Sequence, residues 1–139
     1  MTVVRRSQTS LTAELGHYRK VALTEVSLLV GEIRQRYITI IPGQEMIYQA
    51  KEAEARLWLQ TQPEDLTDFP LLAAEVGITA PTAFELAQLW LNLAVMWKSV
   101  AAQLETLRLQ TGAAIAAAGS AAEIEAVMNQ FRSTVRALS

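Results

Sequence analysis

Glu14 and His17 stand in the spacing Glu-x-x-His, which on a helix turns both side chains to one face. Helical di-iron carboxylate bundles use such pairs to aim metal ligands inward. The chain holds a single histidine, so a two-metal centre would need symmetric copies to lend one pair each, with further inward glutamates. The preferred reading is a solvated glutamate and a histidine on the flank of an amphipathic helix, with no metal. There is no cysteine, which removes disulfides, thiolate metal sites and thiol nucleophiles together. A Ser-His-acid triad would have to be built around His17, and no G-x-S-x-G turn accompanies any serine. Neither a Walker A sequence nor G-x-G-x-x-G is present to cradle a nucleotide phosphate. Glu64, Asp65 and Asp68 lack the alternating spacing and closing glutamate of a calcium loop, so a solvated loop is expected there. No catalytic residue, cofactor or metal follows from these patterns, and the chain is not expected to be an enzyme.

The aromatic residues offer a different chemistry. Trp90 and Trp97 lie one heptad apart, as a stacking platform for a base or sugar would require. However, Leu86, Trp90, Leu93, Trp97, Val100, Leu104 and Leu107 are spaced 4, 3, 4, 3, 4 and 3, a heptad seam that argues for a core or coiled coil. Trp58, beside Leu57, is expected at an edge of the bundle and is the better candidate for an interface aromatic. In "TGAAIAAAGSAA" (111 to 122), Gly112 and Gly119 are again one heptad apart, which favours close helix packing over simple alanine helix propensity.

The elements that position these residues read as helices. Ser10 precedes an apolar face of Leu11, Leu15, Tyr18, Ala22, Val26, Leu29, Ile33 and Tyr37, predicting a first helix over about residues 10 to 39. The β-branched run "ITII" weakens its last turn, and Pro42-Gly43 breaks the chain before a second helix begins at about Gln44. That helix stops near Gln60. "TQPEDLTDFP" (61 to 70) reads as a surface loop, and "LLAAEVGI" (71 to 78) as a short helix with Pro70 in its first turn and Gly77 past its end. The next helix opens after Thr79 with Pro81 near its first position and runs to about Ala118. Ser120 and Glu123 then form a capping box for the last helix, whose apolar face is Ile124, Val127, Phe131, Val135 and Leu138.

A chain of 139 residues with 51% apolar composition, four prolines and six glycines suits one compact all-α bundle. At 1.5 Å per residue the two long helices would span on the order of 45 to 57 Å, which suggests a protruding arm. The expected division is therefore an amphipathic arm over residues 1–41 and a helical bundle over 42–139. A bare apolar stripe of that length calls for a partner chain. The uncharged stretches 86–97 and 109–122 fall short of a membrane span, so a soluble chain is expected, with no membrane partner and no signal peptide. The net charge of −2 hides a division: residues 1–36 carry six basic and three acidic groups, and 37–85 carry two and eight. The basic end is too dilute for a nucleic-acid stripe, and no nucleic acid is expected.

"RYITIIPGQEMIYQAKEAEA", "PLLAAEVGIT" and a Trp-bearing helix ending in "LETLRLQTGAAIAAAGSAAEIEAV" resemble, over about residues 34 to 131, the helical segment of tailed-bacteriophage tail-fibre-associated proteins. The segment is similar to the helical domain of tail-fibre assembly chaperones. "IPGQ" followed by Tyr48 and the Ala/Glu-rich helix is its most specific part. Many relatives carry a β-rich or otherwise distinct region ahead of the segment, where this chain has a helix.

The resemblance implies a helper that binds a trimeric tail-fibre protein and aids its folding, in the host cytoplasm during assembly. The expected contact surface is Leu11, Leu15, Tyr18, Ala22, Val26, Leu29 and Ile33 on the first helix, with Trp58 and Phe69 at the rim. The alternative is a structural tail adaptor, retained in the particle, that self-associates as a homo-oligomer through its heptads.

Overall fold

The computed structural model describes residues 7–37 and 44–138; the expected Pro42-Gly43 break lies outside them. Among the described residues there are five helices and no strand: α1 (Gln8–Tyr37), α2 (Gln44–Thr61), α3 (Pro70–Glu75), α4 (Ala83–Ala117) and α5 (Ala121–Leu138). The fold is all-α. An isolated bridge joins Val76 and Ala80.

Local chemistry sets the helix ends. The α1 start lies slightly earlier than Ser10, because Ser7 is the residue whose hydroxyl accepts from a free amide of the first turn, that of Ser10 at 3.1 Å. Pro81 precedes the cap of α4 instead of opening the helix. The cap is Thr82, whose Oγ1 accepts from the Glu85 N–H at 3.1 Å. At α5 the expected box is present in a shifted form: Ser120 Oγ accepts from the Glu123 N–H, but the Glu123 carboxylate accepts from the Gly119 N–H, one residue ahead of the cap.

The chain divides into two compact units, neither of which is the expected arm. The first comprises residues 1–36 and 102–139; the second is 37–101, so α4 contributes to both. In the first unit, Val26, Val30 and Ile33 of α1 are buried, as are Leu104 and Ile115 of α4 and Ile124, Met128 and Phe131 of α5. Polar ties run between the same helices. Arg19 donates to the Ala118 carbonyl at the end of α4 (2.7 Å), a favourable place for a cation. Arg34 reaches Glu105 at 3.4 Å, so α1 and the end of α4 run antiparallel. Arg132 of α5 holds Glu25 of α1 at 2.9 Å. Helix α1 is thus packed along one face against its own chain. Gly112 is not a close-packing point: an added Cβ would meet Leu23 at an ordinary 3.9 Å.

The second unit closes around Ala55, Trp58, Phe69, Leu72, Leu86, Ala87 and Trp90. Ala55 and Ala87 are fully buried in this cluster of α2, α3 and α4 residues. The acidic 61–70 loop is more than a surface connection, since it delivers Phe69 to this core. Trp58 Nε1 donates to the Pro63 carbonyl at 3.0 Å and pins the start of that loop. Helix α3 has no capping side chain of its own. Glu54 of α2 supplies the cap, accepting from the amides of Leu71 (3.1 Å) and Leu72 (2.6 Å). Gly77, at φ 86, takes the left-handed turn that ends α3 and donates to the Ala80 carbonyl.

Candidate functional site

The polar residues that could do chemistry do not converge on one site among the described residues. His17 is exposed on α1, its ring 6.3 Å from that of the adjacent Tyr18. Among the described residues no group of three or more His, Cys, Asp or Glu side chains could hold a metal ion. Glu64 and Asp68 are exposed, and Asp65 folds its carboxylate onto Thr67, accepting from that residue's hydroxyl and amide. Those bonds, the hydroxyl's first, hold the Asp65 carboxyl below its usual value.

The feature that does stand open is an apolar groove in the second unit. Its volume is about 490 Å³, and its walls come from α2 (Tyr48, Gln49, Lys51, Glu52), the α3 end (Glu75, Thr79) and α4 (Leu89, Trp90, Leu93, Ala94, Met96, Trp97). Helix α2 begins with a run of exposed apolar residues, Met46, Ile47 and Tyr48. On α4, Leu93 and Met96 expose about half their surface, 47% and 50%. A groove of this size and lining lies within the range used by ligand and peptide sites.

The groove explains an irregularity in the heptad seam. Leu86, Trp90 and Leu104 are buried as expected, but between them Leu93 is exposed and Trp97 and Val100 are only half-buried. The seam is therefore core at Leu86, Trp90 and Leu104, open or half-open surface between Trp90 and Leu104, and half-buried at its last residue, Leu107.

Charged side chains frame the apolar floor. Lys51 pairs with Glu75 at 2.7 Å and holds its ammonium 5.2 Å from the centre of the Trp90 ring. Glu52 accepts from Lys98 at 2.6 Å and from Arg56 at 3.1 Å. The Lys98 hydrogen bond, aided by Arg56, lowers the Glu52 pKa. Burial pushes Glu75 upward, yet the bonds from Lys51 and Thr79 outweigh it and leave Glu75 below the usual carboxylate range. A general acid working near neutral pH needs the opposite shift. These carboxylates act as fixed anions that orient lysines.

The nine residues expected to contact a partner fall into different places. Ala22, Val26 and Ile33 are buried in the first unit; Trp58 and Phe69 are buried in the second; Leu15 and Leu29 are half-buried; Leu11 and Tyr18 are exposed. The groove residues Tyr48, Leu93 and Met96 were not singled out as contacts by the sequence. One signal was available, since Tyr48 follows the Pro-Gly break in the most distinctive stretch of the chain. Among the described residues no helix is long and apolar enough to cross a membrane. Comparison with protein-family models, with curated proteins and with solved structures finds no match.

Proposed function

We propose that this chain is a protein-binding helical module that serves as an assembly chaperone for a bacteriophage tail-fibre protein, with the groove of the second unit as its contact site. The observation that carries the reading is the exposed apolar floor formed by Tyr48, Leu93, Met96 and half-buried Trp97. It lies within the segment whose sequence resembles the helical part of tail-fibre assembly chaperones. Trimeric fibres assemble through slow, non-local strand pairing, and their unpaired edges aggregate if left uncovered. An apolar groove can shelter such a segment, with release following from the fibre's own folding.

The test is co-expression with a trimeric tail-fibre protein. The chain should co-purify with the unassembled fibre and raise its soluble yield, and Leu93→Glu should abolish both effects while leaving the helical content intact. A fibre equally soluble without this chain would overturn the reading. A structural tail adaptor is the second reading, favoured by the heptad spacing of the partly open seam around Leu93. It is supported instead if the chain is found in assembled tails.

A further inference from the structure

The described residues offer a second uncovered apolar surface. On α1, Leu11 and Tyr18 form one heptad row and Val21 and Leu28 another beside it, exposed at 45%, 44%, 55% and 63%. Glu25 and Glu32 continue the first row. This strip flanks the buried face of α1 and carries apolar side chains with carboxylates, the pattern of a helix that lies in a groove.

The charge distribution says what fits where. The first unit carries nine basic and six acidic residues, net +3; the second carries three and eight, net −5. Two copies therefore attract each other when opposite units approach, and like units repel. At the contact itself the charges are mostly paired, with a small excess of the opposite sign on each side. Lys51 lines the groove and pairs with Glu75, while Arg56 and Lys98 reach the groove residue Glu52 from outside the lining, three cations to two carboxylates. The strip of the basic first unit presents Glu25, held by Arg132, and exposed Glu32.

We infer that the groove of one copy takes the α1 strip of a second copy, in a head-to-tail contact. Such a contact is heterologous: each chain uses two different surfaces, so association need not stop at a dimer. The contact requires no fibre, and its failure leaves the chaperone reading untouched.

Two exposed substitutions on the full-length chain test this. Leu28→Glu spoils the strip and Leu93→Glu spoils the groove; Met96→Lys replaces the latter if helicity is lost. In sedimentation velocity the wild-type mass should rise beyond that of a dimer with concentration, and fall as salt is raised from about 0.05 to about 0.5 M. Each variant alone should be monomeric. Mixed in equal amounts, they should form a dimer of one copy of each and nothing larger, because only one intact strip and one intact groove remain to meet. A wild type that stays monomeric, a mixture that stays monomeric, or a single variant that associates like the wild type would each overturn the inference.

Discussion

Two tryptophans on one seam of α4 carry different burdens. Trp90 lies in the core of the second unit beneath the Lys51 ammonium, and Trp97 lines the open groove. Replacing Trp90 by Ala should cost about 3 to 5 kcal/mol, as for other buried aromatic residues, because its contacts in the core cluster are lost and a cavity is left. Trp97→Ala removes a side chain already partly in water and should cost about 1 to 2 kcal/mol. Chemical denaturation of the two variants checks the order, and equal losses would mean that the groove closes in solution. Trp58 teaches a related point. Its burial and its bond to the Pro63 carbonyl make it an anchor for a loop. Its neighbour Leu57 exposes 55% of its surface, so adjacent positions of one helix divide between core and solvent, which sequence alone does not apportion.

At the scale of elements, α3 is held by a carboxylate from another helix. Glu54→Gln should destabilise the chain by about 1 kcal/mol and speed hydrogen exchange at the Leu71 and Leu72 amides, which lose their charged acceptor. The ion pairs around the groove make a pH prediction. Glu52 and Glu75 both titrate below their ordinary value of 4.5 in the folded chain. Their contribution to stability is complete above that value and is lost as pH falls through the lower folded values. Melting temperature should therefore drop on acidification below about pH 4.5, and Lys98→Met should flatten part of that drop by releasing Glu52.

Much of this level was legible in the sequence. The heptad steps located α4, and Ser120 with Glu123 marked the start of α5, because both signals lie within a few residues of each other. The Glu54 cap was not legible, since it joins residues 17 and 18 positions apart. The contact face of α1 was half legible for a similar reason. Periodicity shows that Val26 and Ile33 face something apolar; it does not say whether that is another chain or, as here, α4 and α5.

For the whole molecule, the informative fact is that α4 belongs to both units. Fraying it in one place removes helix from both, so the units should melt as one transition. Phe131→Ala, in the core of the first unit, should lower the midpoint seen by far-ultraviolet ellipticity and that seen by Trp emission by the same amount. Two separated midpoints would show instead that α4 can break near the boundary at Ala101.

All three tryptophans fall in the second unit, and two of them line the groove: Trp90, which is otherwise buried, and Trp97, which is half-buried. The protein thus comes with its own optical label. Emission on excitation near 295 nm reports only on the half that holds the groove, and occupancy by any partner should dry Trp97 and move its emission to the blue. Binding can be titrated on the native chain, without a dye.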